Sequence, residues 1–342
     1  MKNKLLILTS LSVLTCFLFS SIGCSTKKDD VTTPAGPNEA SSFTFSPIDV
    51  SNIKFNYSLG WINPPAHIIP TDHVYIHYNN PSTTAGLPLI APGGGLVQKI
   101  LIVPNLSVNE CKVWIQMNPL FTYYLDHVLL NNTIKEGVAI KAGQVIGTTG
   151  LGDSFDLGVI DSTVTIPFAN PARHGWQTIH CGKPYSYFTE PLRSQMYALV
   201  DREGSEKDGW VNVDVPKTLS GNWFLDGPTF YTDGGDWDKE LAFAYDIQHP
   251  SKVQIALGGV IGPAGKWYPQ IGALLPSQVT VSTGKVAYQL WSLDPVTQAI
   301  NTEQKGLMIV QMIDDTHIKV EMFADVKIAD ASFTGNAKMY AR

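Results

Sequence analysis

Histidines and acidic residues stand close together in two short segments of this chain, and their side chains could do chemistry. His73 and His77 lie in one β-type run, and Asp126 and His127 lie in another. Residues an even number apart in a strand face the same side, so His73 and His77 could share a metal ion. His127 would have to reach that ion from a neighbouring strand. The alternative is that all three are structural histidines on β-strands.

Several widespread catalytic patterns are missing from the sequence. There is no Gly-x-Ser-x-Gly elbow, no phosphate-binding P-loop, no dinucleotide-binding fingerprint and no His-Glu-x-x-His helix. The enzyme classes that depend on those motifs are therefore excluded.

The elements that must position the histidines are short β-strands. From about residue 46, β-branched and aromatic runs alternate with Gly, Pro, Asn and Asp, which predicts a mainly β fold. One helix is predicted at residues 191–201, where Leu192, Met196 and Leu199 share a face. The predicted strands are 74–78, 95–103, 112–117, 123–130, 144–148, 157–160, 223–224, 241–245, 253–257, 278–282, 286–291, 307–312, 318–323 and 337–340.

The N-terminus has the features of an export signal. Lys2 and Lys4 precede an apolar run, and small Gly23 stands directly before Cys24. This segment resembles the lipobox of bacterial lipoproteins, which implies cleavage after residue 23 and lipidation of Cys24. We therefore expect a signal peptide at 1–23, a flexible tether at 24–45, a β domain at 46–205 and a second β domain at 206–342. The expected location is the cell envelope, at the outer membrane or the cell surface, with the lipid holding the protein to the membrane.

Charge and cysteine content narrow the class of protein further. Lys2 and Lys4 leave with the signal, so the mature chain has 22 basic and 30 acidic side chains, a formal charge of −8. An acidic balance argues against a nucleic-acid partner. Cys111 and Cys181 are the two cysteines left to pair in an oxidising compartment, and free thiols buried in strands are the alternative.

Residues 132–150 are unusually regular, with glycine turns on either side of short strands. Gly137 and Gly143 suit tight turns, and Ile140, Val145 and Ile146 suit the corner of a small β-barrel. The pattern resembles the core of M23-type zinc peptidases, the lysostaphin-like and LytM-like family, and also the hammerhead domains that carry lipoyl and biotinyl groups. The resemblance implies a small peptidase-like or hammerhead β-barrel, followed by a second antiparallel β-sandwich or barrel.

Three further segments favour the peptidase branch, and the resemblance then covers about residues 70–162. Residues 89–97 resemble that family's Val-x-Ala-Pro-x-x-Gly-x-Val strand and turn. His73 to His77 take the place of its His-x-x-x-Asp motif, and residues 123–127 take the place of its Tyr-x-His-Leu segment. In that family, the His and Asp of the first motif and the second His of a terminal His-x-His hold zinc.

The chain departs from this pattern at the residues that matter for catalysis. His77 replaces the Asp, and the His-x-His position reads Asp156-Leu157-Gly158, so a zinc-binding side chain is missing at Gly158. We therefore predict an envelope lipoprotein whose peptidase-like domain binds peptidoglycan, another glycan or an envelope protein, without a cofactor. The alternatives are a divergent zinc endopeptidase, with His73, His77 and His127 as ligands and Asp156 or Asp126 as general base, and a structural surface module.

Two other groups of residues are candidates for binding. Aromatic residues are dense between Trp176 and Trp237, where they could stack on sugars, although most are expected to pack in the core. Acidic residues also flank Gly234-Gly235 and could hold calcium, although a solvated acidic turn is the expected reading. These acids are Asp226, Asp233, Asp236, Asp238 and Glu240.

Overall fold

The computed structural model describes residues 41–79, 86–104, 109–227, 236–294, 297, 299–324 and 331–342. The predicted signal peptide, Cys24, residues 24–40 of the tether and Asp233 lie outside these ranges. Within them the fold is mainly β, as predicted, and consists of a nine-stranded antiparallel sheet and a closed eight-stranded barrel.

The first sheet has the strand order β1-β2-β9-β6-β5-β4-β7, and β8 pairs with both β3 and β6. Its core is built around the central strands, where Tyr123 and Leu125 of β6 and Leu157 of β9 have no exposed surface. The strands are β1 (Ile53–Tyr57), β2 (His73–Tyr78), β3 (Pro88–Ile90), β4 (Gly95–Pro104), β5 (Asn109–Asn118), β6 (Phe121–Leu130), β7 (Ala139–Ile140), β8 (Val145–Thr149) and β9 (Ser154–Asp161).

Two short α-helices follow the first sheet, α1 (Trp176–Ile179) and α2 (Leu192–Ala198). The second confirms the predicted helix, and its Met196 is buried against the sheet core. Among the described residues, no helix combines the length and the apolar character needed to cross a membrane.

The barrel is an antiparallel meander in which each strand pairs with the next. It closes where β10 pairs with β17, with Phe224 opposite Ala341 and Leu225 opposite Tyr340. Closure leaves no free sheet edge, which removes a template for pairing with other chains. Its strands are β10 (Gly221–Leu225), β11 (Glu240–Tyr245), β12 (Val253–Leu257), β13 (Gly265–Pro269), β14 (Lys285–Leu293), β15 (Ile300–Met312), β16 (His317–Phe323) and β17 (Lys338–Ala341).

Side chains alternate between the interior and the exterior of the barrel. Leu241 and Phe243 of β11 belong to the interior core, together with Trp223 of β10. Ala242 and Ala244 of the same strand instead pack outside, against a cluster that includes Ile62, Ile68 and Ile69 from the segment between β1 and β2. This outer contact joins the barrel to the first sheet.

One predicted strand is wrong and several short ones were not predicted. Residues 278–282 form no strand; they are covered by the 3₁₀ turns Pro276–Gln278 and Val281–Thr283. Proline at the start of the first turn and Gly284, at φ +75°, after the second explain the irregular backbone. Strands β3, β7 and β13 were missed because they are short and carry little alternation, and β1 was missed although apolar and polar residues alternate along it.

The two remaining cysteines do not form the predicted disulfide. Cys111 lies on β5 opposite Val128, whereas Cys181 is buried behind β9, opposite Ile160. The Cys181 thiol lies 3.2 Å from the backbone carbonyl of Asp72. Burial raises the pKa of the Cys181 thiol well above its ordinary value, so it stays protonated.

Candidate functional site

A cleft of about 590 Å³ lies where the first sheet meets the barrel. The floor comes from β2, β6 and β9, and residues 61–71 form one wall. Gln177 and Thr178 of α1 line another part, and Trp237 and Glu240 contribute the barrel's side. Most of the predicted site residues converge here.

His73, Asp156 and His127 meet on the cleft floor because strand register places β2, β9 and β6 side by side. Asp126 pairs with Asp156 across β6 and β9, and His73 pairs with Gly158 across β2 and β9. Nε2 of His73 lies 3.5 Å from Oδ2 of Asp156, and Nε2 of His127 lies 3.8 Å from the same oxygen. One carboxylate is therefore shared by two imidazoles.

The Asp156 carboxyl group is buried, and its hydrogen-bonding capacity is only partly used. It is 4% exposed, and its Oδ1 has no hydrogen-bond partner. Burial raises the pKa of this carboxyl group, and the nearby His73 and His127 offset the rise only in part. A buried carboxylate oxygen without a partner is costly, so Asp156 is the place on the floor where a ligand would gain most.

His127 is held in an unusual backbone conformation by its neighbours. Its φ is +60°, and its backbone N–H donates to Oδ1 of Asp126 at 2.8 Å. Nδ1 of His127 lies 3.0 Å from Oε2 of Glu110. Burial lowers the pKa of His127, but the carboxylates of Asp156, Asp126 and Glu110 outweigh burial and raise it overall. An αL conformation at a non-glycine residue is a form of strain that clusters at functional sites.

Asp72, which the sequence did not single out, anchors the back of the cleft. Its carboxylate accepts hydrogen bonds from the Thr178 hydroxyl at 2.6 Å, the Tyr124 hydroxyl at 3.1 Å and the Gln177 amide at 3.2 Å. Nδ1 of His73 lies 3.1 Å from the same group. Burial alone would raise the pKa of Asp72, but the bonds from His73 and Thr178 and the charge of Lys112 hold it below its ordinary value. Its position next to His73 was the available sequence signal.

Asp126, His127 and Asp156 form a group that could hold a metal ion. One ligand atom from each lies within 4.8 Å of the others. Around a tetrahedral zinc ion, donors at about 2.0–2.2 Å stand about 3.3 Å from one another, so these atoms would have to move closer together. His73 is less suited to join them, because Nε2 already bonds the Tyr75 hydroxyl at 2.9 Å and Nδ1 bonds Asp72.

His77 does not reach this group. Its ring stacks on Phe55 of β1 at a centroid distance of 4.4 Å, and its nearest acidic neighbour is Asp153, at 3.9 Å. The even spacing does place His73 and His77 on one side of β2, but four residues of strand separate them by about 13 Å. The structure therefore brings His73 and His127 to the cleft and leaves His77 against β1.

The ring of Tyr124 fills the space in front of Gly158. A Cβ atom on Gly158 would lie 2.0 Å from Cζ of Tyr124 and 2.3 Å from its hydroxyl oxygen. A side chain at residue 158 has no room to point into the cleft unless Tyr124 moves. The residues present thus do not fit the zinc site that the M23 resemblance implies.

Glu240, one of the acidic residues near Gly234-Gly235 that were expected to be solvated, is buried. It has no exposed surface, it lines the cleft, and neither carboxylate oxygen makes a hydrogen bond, although the backbone N–H of Ile69 is near. Burial and the charges of Asp236 and Asp238 raise its pKa well above the ordinary value. His67 also lines the cleft, with its ring centroid 5.6 Å from that of His73 and 5.8 Å from that of Trp237.

The aromatic residues between Trp176 and Trp237 serve mostly as core, as expected. Tyr185, Phe188 and Trp223 are buried, whereas Trp176 is 64% exposed and packs on His180. Three aromatic rings border the cleft: Trp61 and Tyr75, which precede this stretch in the chain, and Trp237 at its end.

Comparison with known proteins finds no matching family model and no matching curated protein. Csd3 from Helicobacter pylori is 22% identical over 35% of this chain and 32% of its own length, with a TM-score of 0.27. A zinc containing peptidase from Vibrio cholerae is 21% identical over 35% of this chain and 37% of its own length, with a TM-score of 0.28. This chain spans about a third of the length of both proteins.

A third similar structure is the catalytic domain of the antimicrobial peptidase lysostaphin from Staphylococcus simulans. It is 20% identical over 33% of this chain and 84% of its own length, with a TM-score of 0.27. The similarity to these solved structures is confined to about a third of the chain.

Proposed function

We propose that this protein is a lipid-anchored envelope protein whose cleft binds peptidoglycan without hydrolysing it. The observation that carries the proposal is the ring of Tyr124, which occupies the space that a zinc-binding side chain at residue 158 would need. A domain that keeps a peptidase-like fold but lacks the catalytic residues can still bind peptidoglycan without cleaving it.

Too few side chains face the cleft to build the M23-type zinc site. A catalytic zinc site uses three protein ligands and keeps a further position open. Here Gly158 supplies no side chain, and His77 lies against Phe55 instead of facing the cleft. Of the positions that correspond to the M23 ligands, only His73 faces the cleft, and both of its ring nitrogens already have partners.

Support for a peptidoglycan ligand comes from the sequence resemblance and from the character of the cleft. Trp61 is partly exposed and offers an aromatic face for a sugar ring, and it packs edge-to-face on the buried Tyr75 with a centroid distance of 4.4 Å. Gln177 and Asp156 offer polar groups to peptide amides and hydroxyls. The cleft lining combines many polar and charged side chains with the rings of Trp61, Tyr75 and Trp237, which suits a ligand that has both polar groups and apolar faces.

Sedimentation with purified cell-wall sacculi tests this proposal. The chain from Ser25 onward should co-sediment, and Trp61→Ala should weaken binding at least tenfold. Trp210→Ala is the matched control, because Trp210 is 42% exposed and lies outside the cleft. Mass spectrometry of the supernatant should find no released muropeptides. Failure of the wild-type chain to co-sediment would leave the structural surface module as the better description.

We further propose that Cys24 carries the lipid that holds the protein to the membrane, at the outer membrane or the cell surface. Metabolic labelling with a palmitate analogue in a bacterial host should label the wild-type chain, and Cys24→Ser should abolish both labelling and membrane fractionation. Cys111→Ser is the control variant and should leave both unchanged. Labelling that persists in Cys24→Ser would contradict the anchor.

The second candidate function is a zinc-dependent peptidoglycan hydrolase with a relocated metal site. The observation that favours it is the group Asp126, His127 and Asp156, which offers two carboxylate oxygens and an imidazole nitrogen. Elemental analysis before and after mild chelation decides between the candidates. About one zinc ion per chain, lost in Asp156→Asn, together with muropeptide release would establish the hydrolase; absence of zinc after loading would exclude it.

A further inference from the structure

The cleft contains a second partly unsatisfied acid besides Asp156, and it comes from the barrel. Glu240 begins β11 and pairs with Phe224, so its side chain lies on the same outer face as Ala242. The residue is fully buried, and neither carboxyl oxygen makes a hydrogen bond of normal geometry, although the backbone N–H of Ile69 is near. Burial raises the pKa of Glu240 well above its ordinary value, so without a ligand the group is a neutral carboxylic acid.

The cations of the cleft are already engaged elsewhere. Nζ of Lys112 lies 3.6 Å from Asp126 and 4.1 Å from the ring centroid of Tyr124. His127 is paired with Glu110, and His67 stays neutral at pH 7 because burial and the charge of His73 lower its pKa to about 4. Among the described residues of the cleft, Glu240 is therefore an acid that no cation pairs with, and an arriving cation would favour its ionised form.

The surroundings of Glu240 select among cationic ligands. A metal ion would need several donor atoms, and Glu240 is not part of the metal-compatible group found among the described residues. Trp237 and Trp61 line the same cleft with aromatic faces. An ammonium group on a flexible chain can pair with a carboxylate and also lie against aromatic rings.

We infer that the cleft takes a ligand carrying a primary ammonium group, which pairs with Glu240 beside the ring of Trp237. This inference rests on the proposed binding function of the same cleft and names the part of the ligand that is recognised. Peptide chains with a free amino group on a side chain, such as stem peptides that have not been cross-linked, belong to this class.

Calorimetry with two matched peptides tests the inference on the full-length chain in detergent. The first peptide carries one lysine side chain, and the second is identical except that the lysine is Nε-acetylated. The lysine peptide should bind at least tenfold more tightly at pH 7. Glu240→Gln should remove that preference, whereas Asp153→Asn, which removes an exposed acid outside the cleft, should leave it within twofold.

A second pair of variants keeps the test decisive if Glu240→Gln fails to fold. Trp237→Phe retains an aromatic face and should keep most of the preference for the lysine peptide, and Trp237→Leu should lose at least fivefold. Equal affinity for both peptides, a preference for the acetylated one, or no binding of either would overturn the inference.

Chemical acetylation of sacculi separates this inference from the proposed function. Acetylated sacculi should bind the protein at least fivefold more weakly than untreated sacculi. Unchanged binding would overturn ammonium recognition and leave peptidoglycan binding intact. Selective binding of the lysine peptide without any binding to untreated sacculi would instead overturn peptidoglycan binding and leave ammonium recognition standing.

Discussion

Tyr124 stands where the side chain of residue 158 would begin, since a Cβ on Gly158 would lie 2.0 Å from Cζ of the tyrosine. The two residues pair directly across β6 and β9. The hydroxyl group of Tyr124 donates a hydrogen bond to Asp72, which holds the ring in this position. Because of this contact, the cleft floor can pack in this way only when residue 158 is glycine.

Gly158→Ala should destabilise the protein by about 1–3 kcal/mol, because the added methyl group overpacks the Tyr124 ring. Urea denaturation measures the loss. Gly335→Ala is the control, since a Cβ there meets nothing within 4 Å. In the double variant Gly158→Ala with Tyr124→Ala, the cost should be less than the sum of the single costs. Additive costs would contradict direct contact.

Thr178→Val should destabilise the fold by about 1.5–3 kcal/mol, because it removes a buried hydrogen bond to the charged Asp72. Thr163→Val is a matched control: it removes a Thr–Asp hydrogen bond of the same 2.6 Å length, at an exposed turn. That control should cost less than about 0.5 kcal/mol. If chemical denaturation finds the same loss of unfolding free energy in both variants, burial of Asp72 does not strengthen its hydrogen bond to Thr178.

His174 should make the fold less stable as the pH falls from 6.5 towards 4. The ring stacks on Phe168 at a centroid distance of 3.7 Å, and burial lowers the pKa of His174 to about 4. The unfolded chain therefore takes up a proton in this window that the folded chain does not, which costs about 3 kcal/mol. His174→Phe should reduce the slope of the stability profile between pH 6.5 and 4, to which His67 also contributes because its pKa is lowered to about 4 as well. An unchanged slope would contradict the assignment.

Asp156→Asn should lower the pKa of His127. Burial alone would lower that pKa, and the charge of Asp156 is the largest of the influences that raise it. NMR titration of the His127 ring in a chelator-treated sample measures the change. Asp153→Asn is the control and should leave the His127 titration unchanged, because Asp153 is an exposed neighbour of His77. A His127 titration that is the same in Asp156→Asn and wild type would refute the coupling.

Strand pattern and glycine turns were enough to predict the mainly β fold and most of the longer strands. They succeed because strands such as β12 and β16 carry a strong local signal in their β-branched and aromatic residues. Residues 278–282 were predicted as a strand because Val279 and Val281 carry the same signal. Proline and glycine at the ends of that segment determine its conformation instead.

The candidate site was predicted only in part, because pairing between strands decides which side chains meet. Periodicity placed His77 on the face of His73, yet the rise along β2 takes it to Phe55. Nothing local in the sequence indicates that Tyr124 covers Gly158 or that Glu240 is buried near Ile69, in the segment between β1 and β2. These contacts depend on register and on packing between distant segments.

Closure of the barrel between Phe224 and Ala341 has a consequence for how the protein folds. The two strands lie far apart along the chain, so their pairing closes a long loop and should come late in folding. Until then β10 and β17 each present an unpaired edge that another chain could join. We expect refolding at high protein concentration to lose yield to intermolecular strand exchange, and dilution to recover it.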